Sequence, residues 1–239
     1  MKKILSCMRR AMQEYEMINE NEVIAVGISG GKDSIMLLHG LSLLRRFYPV
    51  KYTLEAICVE LGFEGTDYSN LIEYCGSIDV PLHIVKTDIA GIIFNERKES
   101  NPCSLCSKMK KGALHDKMIE LGIHKLAFGH HADDAVETLF LSMLYEGRMH
   151  TFKPVTYLDR KQITLIRPMI YVWEKEITYQ INKLCLPVVD KNCPADGNTK
   201  REEIKQLVKT IKRQIPKSEE RILNAIQNKE NFYLWFDRL

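Results

Sequence analysis

Apolar and polar positions along the chain follow two alternating rhythms. Short, nearly continuous apolar runs rich in β-branched residues occur at 23–29 (VIAVGIS), 53–61 (TLEAICVEL), 82–89 (LHIVKTDI) and 125–130 (KLAFGH), with ITLIRPM at 163–169 as a fifth. Runs of this length and character suit strands buried on both faces of a parallel sheet. Between them the period lengthens to that of a helix. DSIMLLHGLSLLRRF (33–47) is one such stretch, and DDAVETLFLSMLYEG (133–147) sets Val136, Leu139, Phe140, Met143 and Leu144 on one face. Strands alternating with helices predict βαβ units, hence an α/β fold with a doubly wound, mainly parallel five-stranded sheet. The flanks read as helical: MKKILSCMRRAMQEYE has amphipathic spacing, and from Thr199 onward the pattern is helical with a break near Pro216. The predicted organisation is an N-terminal helix (1–22), one α/β domain (23–195) with an inserted CxxC segment, and a C-terminal helical extension (196–239).

Composition narrows the class without choosing a partner. A chain of 239 residues, 45% hydrophobic and 27% charged, has room for one large domain. A formal net charge of +3 is too small to argue for nucleic acid unless the charge is clustered. The opening ILSCM run is cut off by Arg9 and Arg10, too soon for a signal peptide, and no stretch reaches the ~20 apolar residues of a membrane span. Seven cysteines would leave a disulfide framework with one over. The expectation is a reducing, cytoplasmic location, where clustered cysteines serve metals or catalysis.

The first strand runs straight into SGGKDS, Ser29 to Ser34, and then into a helix. Glycines let a backbone approach closely, helix-start N–H groups favour an anion, and Lys32 adds a full positive charge. Phosphate is the guest such a loop suits, with Gly27, Ser29, Gly30, Gly31, Lys32, Asp33 and Ser34 as the candidate lining. A Walker loop is excluded: only three residues separate Gly27 from Gly31 where the motif needs four, and Asp33 follows Lys32 where Ser or Thr is required. The plainer reading is a glycine turn with a solvated lysine and a capping aspartate. A second constellation, GHHADDAVET (129–138), follows the fourth strand and should reach the same sheet edge. Gly129, His130, Asp133 and Asp134 could face the nucleotide or its Mg²⁺. Equally, Asp134 could cap the helix, with Glu137 completing a capping box.

SGGKDS after a strand closely resembles the signature of the PP-loop ATPases. That resemblance implies cleavage of ATP between its α and β phosphates, with Lys32 and Asp33 catalytic, and an adenine nucleotide α-hydrolase-like fold.

A further motif, NPCSLCSKMKKG (101–112), holds Cys103 and Cys106 at the start of a helical pattern, beside lysines that favour thiolate. No second CxxC exists, so the site looks incomplete. Cys58, Cys75 and Cys185 read as small buried hydrophobes, Cys7 has no assignment, and Cys193 stands apart in the loop DKNCPADGN. A zinc completed by a histidine such as His115 and a redox dithiol are the open alternatives.

Four segments occur in the order and approximate spacing of the tRNA 2-thiocytidine synthetase family, TtcA, and the similarity covers most of the chain. They are MINENEVIAVGISGGKDS, NPCSLCSKMKKGAL, GHHADDAVETLFLSMLYEGR and ITLIRPMIYVWEKEI. The resemblance implies a [4Fe–4S] cluster held by Cys103, Cys106 and Cys193, the last matched by the offsets of Asn198 and Arg201. Three ligands for four irons leave one iron open to carry sulfur, which would explain the incomplete site. The implied reaction is adenylation of a cytidine C2 oxygen, at position 32 of a tRNA anticodon loop, followed by its replacement with sulfur. A cysteine desulfurase persulfide or sulfide would donate the sulfur, and a homodimer is implied. Lys108, Lys111, Arg148, Arg167 and Arg201 are the candidate tRNA contacts, with Lys110 and the stretch from Lys200 to Arg213 as further basic surface. The rivals are a PP-loop enzyme such as lysidine synthetase, which would need no CSLC, another tRNA sulfur enzyme acting on uridine or removing sulfur, and a non-catalytic nucleotide sensor.

Overall fold

The computed structural model describes residues 1–63, 65–97, 102–189, 193–194 and 200–228. Asn198 and the chain beyond 228 lie outside the described residues. Two compact units emerge, one formed by Met1–His131 with Pro154–Asp196 and the other by Ala132–Lys153 with Gly197–Leu239.

The first unit carries the sheet. Its strands are β1 (Glu22–Ile28), β2 (Tyr52–Glu60), β3 (Leu82–Lys86), β4 (Lys125–Ala127), β5 (Val155–Leu158) and β6 (Ile163–Ile166). They lie in the order β3-β2-β1-β4-β6-β5, all parallel except for β5, which runs antiparallel to β6. The sheet therefore has six strands rather than five. The extra one, Val-Thr-Tyr-Leu, is only four residues long and half-exposed at the edge, so it lacks the continuous apolar run that marks its neighbours. Centrally, Ile24, Ala25 and Val26 of β1 are wholly buried, as expected of a strand covered on both faces.

Helices α1 (Lys2–Glu14), α2 (Lys32–Leu44), α3 (Ser69–Ser77), α4 (Pro102–Glu120) and α6 (Glu174–Leu184) complete this unit. α2 is apolar all round, with Ile35, Met36, Leu37, Leu38, Leu41 and Leu44 at zero exposure, so its fixed position is set by packing on every side. At Gly40 even a Cβ would collide with the Met8 sulfur of α1. Cys58 and Cys75 are buried as expected, and burial pushes the Cys75 thiol up to about 11. Cys185 is not: it is exposed at φ 49°, in the left-handed residue that ends α6, so the apolar face stops just before it.

The second unit holds α5 (Ala132–Leu141), α7 (Lys200–Gln214) and α8 (Ser218–Gln227). α5 passes into a π-helical turn, Ser142–Glu146. The wider turn rotates the register, which explains why Val136 is buried while Met143 and Leu144, expected on the same face, are 39% and 58% exposed.

Candidate active site

β1 stands between β2 and β4, the point where the winding of the parallel sheet reverses. The loop leaving β1 turns in three residues, with Gly30 at φ 82°, a conformation that costs other residues strain. Ser34, one turn into α2, is nearly buried and ties the loop together. Its hydroxyl donates to the Gly31 carbonyl at 2.9 Å and accepts from the Ser29 N–H at 3.1 Å and the Ser29 hydroxyl at 3.2 Å. Ser29 Oγ in turn accepts the Gly31 N–H at 3.3 Å. The backbone N–H groups of the first turn of α2 have no intrahelical acceptor and, with the helix dipole, make the loop mouth attractive to an anion.

Lys32 opens α2. Its ammonium lies 3.0 and 3.1 Å from the two carboxylate oxygens of Asp33 and 3.0 Å from Glu174 at the start of α6. Burial disfavours the charge, but Asp33 and Glu174 outweigh it and raise the lysine above its ordinary pKa, so it is cationic across the physiological range. Nearly buried His131 has Nε2 3.7 Å from Asp33. At the end of β4, Gly129 lies so close that a Cβ would come 2.9 Å from the Asp33 carbonyl and 3.0 Å from the Ser34 nitrogen. Beside it the His130 ring meets Phe128 edge-on, with centroids 5.7 Å apart. Gly27 serves packing, since a Cβ there would come 3.0 Å from the Phe128 ring.

Asp133 and Asp134 sit in the first turn of α5, in the second unit. The capping box does not form, because the helix begins at Ala132, placing Asp134 inside it. Instead Asp134 accepts from Arg201 Nη2 at 2.6 Å, and Arg201 Nε lies 3.5 Å from Glu137. Lys200 lies over the Tyr145 ring, and Tyr145 donates to Glu203 at 2.6 Å.

All seven cysteines are thiols. Cys103 is exposed on the first turn of α4, and Cys106 is half-buried one turn later, packed with Leu105 and Met109 against the core. Cys193 is half-buried in the same unit. His115 is buried further along α4. Nine residues on from Cys106, it lies about 13 Å along the axis and on the opposite face of the helix, so it cannot join that thiol at one zinc. Among the described residues no three His, Cys, Asp or Glu side chains are gathered tightly enough for a single metal ion. The donor type suits an iron–sulfur cluster: Cys103 and Cys106 are soft thiols about one turn apart at a helix start, and Cys193 is a half-buried thiol of the same unit.

The comparisons with known proteins agree with this geometry. The chain matches the PP-loop domain family over residues 4–212. It belongs to the PP-loop family. A tRNA-cytidine(32) 2-sulfurtransferase of Pelobacter propionicus is 37% identical over 222 residues, 92% of this chain and 82% of that one. The Geobacter sulfurreducens protein of the same name is 36% identical over 236 residues, 98% and 92% of the two chains. Among solved structures, the U34-tRNA thiolase NcsA from Methanococcus maripaludis with its [4Fe–4S] cluster superposes with a TM-score of 0.75 at 24% identity. That superposition covers 93% of this chain and 76% of NcsA, and it establishes the shared fold.

Within the first unit of this PP-loop protein, Ser29, Gly30, Gly31, Lys32, Asp33, Ser34, Gly129 and His130 come together at the carboxyl ends of β1 and β4. Sequence reasoning left Glu174 and His131 without a role, although WEKEI and GHHADD both lay within the family-like segments. Of the basic residues, Lys108, Lys111, Arg148 and Arg201 are exposed. Arg167 is not the surface phosphate contact expected of it: it is 7% exposed, donates to Thr156 at 3.1 Å, and burial pulls its pKa down to about 10. It emerges from β6 into the interior of the sheet edge and braces β5.

Proposed function

We propose that this chain is an ATP-dependent tRNA sulfurtransferase that replaces the C2 oxygen of cytidine 32 in the anticodon loop with sulfur. The observation that carries this reading is a cradle for anions headed by Lys32, in a chain 37% identical to a protein named for that reaction. In this reading the loop N–H groups and the Lys32 ammonium take up the β and γ phosphates of ATP and the charge of departing pyrophosphate. Magnesium arrives on the triphosphate and needs only one or two carboxylates from the protein, of which Asp33 is nearest the loop. The tight contact of Gly129 with the α2 backbone keeps β4 and the loop in register beneath the phosphates. Adenylation turns a poor leaving oxygen into one that departs with AMP. Cys103, Cys106 and Cys193 would hold a [4Fe–4S] cluster, which when bound supplies an iron without a protein ligand from which sulfur can be delivered.

The target base has to leave its stack, which costs least in a single-stranded loop. Exposed Lys108 and Lys111 on α4, with Arg148 and Arg201, are the side chains we assign to the RNA backbone. Such an enzyme works in the cytoplasm with its tRNA, takes sulfur from sulfide or from a desulfurase persulfide together with a two-electron reductant, and acts as a homodimer. No helix among the described residues is long and apolar enough to cross a membrane. The test is made on protein purified without oxygen: iron and acid-labile sulfide per chain, and 2-thiocytidine in tRNA by mass spectrometry, each beside Cys193→Ser. About four irons and four sulfides, lost in the variant together with thiolation, are expected. One zinc without sulfide, or thiolation undiminished in Cys193→Ser, would overturn the reading.

A further inference from the structure

The cradle is already filled by its own protein charge. Lys32 has three ammonium donors, and carboxylates approach it from two sides: Asp33 at 3.0 and 3.1 Å, Glu174 at 3.0 Å. The two carboxylates are anchored differently. Asp33 sits beside Lys32 on the same turn of α2. Glu174 belongs to the first turn of another helix, α6, so its charge approaches Lys32 from a separate element. With one formal positive and two formal negative charges, the head of the loop opposes the polyphosphate that its backbone N–H groups attract. A phosphate that engages Lys32 competes with Glu174 for the ammonium.

We propose that Glu174 is a positioning residue that exchanges Lys32 with the bound polyphosphate, presenting the ammonium before nucleotide binds and reclaiming it to expel pyrophosphate. The proposal rests on the nucleotide-cleaving reading above but requires nothing of the thiols or the RNA. Its signature is a split that plain structural damage does not give. With the counter-charge removed, polyphosphate binds more tightly and leaves more slowly.

Glu174→Gln keeps the shape and removes the charge. Equilibrium binding of Mg-ATP and of Mg-pyrophosphate to the purified full chain is measured for the wild type, Glu174→Gln, Glu174→Asp, Lys32→Ala and the Lys32→Ala/Glu174→Gln double variant. Glu174→Gln should bind pyrophosphate about three- to ten-fold more tightly, the range set by a partly exposed ion pair, and Glu174→Asp should return towards wild type. In turnover the same variant should lower both KM for ATP and kcat. In the Lys32→Ala background most of the gain should vanish. Unchanged or weaker pyrophosphate binding in Glu174→Gln, with the wild type binding normally, would overturn the exchange. So would an equal gain without Lys32, which would leave Glu174 a mere background charge. A wild type that binds neither probe would remove the nucleotide reading itself, and this inference with it.

Discussion

Two helix starts in the first unit carry motifs, and they are built in opposite ways. The start of α2 is held by its own backbone and short side chains. Ser34 bonds both Ser29 and Gly31, Gly30 takes the left-handed turn, Gly129 presses against the Asp33 carbonyl, and the apolar helix behind is packed on every side. The start of α4 offers thiols on two turns, one of them exposed, and its third proposed ligand comes from a loop nearly ninety residues later. A site made of backbone can be complete before its guest arrives. A site made of side chains from distant segments is drawn together by the guest, because ligand binding and local ordering share one free energy.

Disabling each helix start in turn tests whether the other works without it. Lys32→Ala should lower thiolation by at least about a hundred-fold, the scale of losing a preorganised charge at a developing anion. Its iron content should stay at the wild-type level. Cys193→Ser should do the reverse, losing iron and thiolation while binding Mg-ATP as before. Iron analysis, ATP binding and 2-thiocytidine yield on both variants check this. Loss of iron in Lys32→Ala, or of ATP binding in Cys193→Ser, would mean that the two are one interdependent site.

A smaller effect probes how tightly the α2 start is fitted. Gly129→Ala places a Cβ against backbone that cannot rotate away, and forcing such a contact costs about 1–3 kcal/mol. Melting temperature should fall and ATP affinity should weaken, because relief comes only by pushing β4 away from α2. Gly112→Ala, on α4 with open space at the Cβ position, should be neutral or slightly stabilising. Equal melting temperatures for the two variants would show that the close approach at Gly129 does not constrain the loop.

The same contrast governs what could be read from the sequence. SGGKDS was legible because its chemistry is local: a strand, a left-handed glycine and a helix start lie within a dozen residues. The buried parallel strands were legible because burial on both faces leaves continuous apolar runs. β5 was not, since a half-exposed edge strand of four residues has no such run. The π-helical turn at 142–146 was missed because a change of period inside a helix leaves the apolar spacing ambiguous over so few residues. Glu174 had no visible signal as a partner of Lys32: the pairing depends on the packing of α6 beside α2, across more than a hundred residues of chain. Arg167 was misread for the converse reason, as a charged side chain in a strand-end motif says nothing about whether the neighbouring edge strand covers it.

The smallest expected effect concerns the frame beneath the α2 start. Lys125 of β4 donates to Glu22 of β1, so the strands that deliver the loop and Gly129 are pinned together at their opposite ends. Glu22 also accepts from the Asn19 backbone N–H at 2.8 Å and the Asn19 amide at 3.0 Å. Burial alone would raise this carboxyl, but the Asn19 bonds and Lys125 outweigh it, and its pKa lies below the ordinary 4.5. A carboxylate whose folded pKa is lowered gives stability that is complete above 4.5 and is lost as the pH falls through the folded value. Glu22→Gln should therefore lower the melting temperature by the equivalent of about 1 kcal/mol or less at neutral pH. The gap to wild type should hold steady down to pH 4.5 and narrow below it. Because the pair supports the strands and not the thiols, Mg-ATP affinity should follow the same pH dependence in the two proteins while iron content is unaffected. A gap that stayed constant into strong acid would mean that Glu22 acts through packing and its neutral hydrogen bonds, leaving the apolar burial of β1 and α2 to hold the cradle unaided.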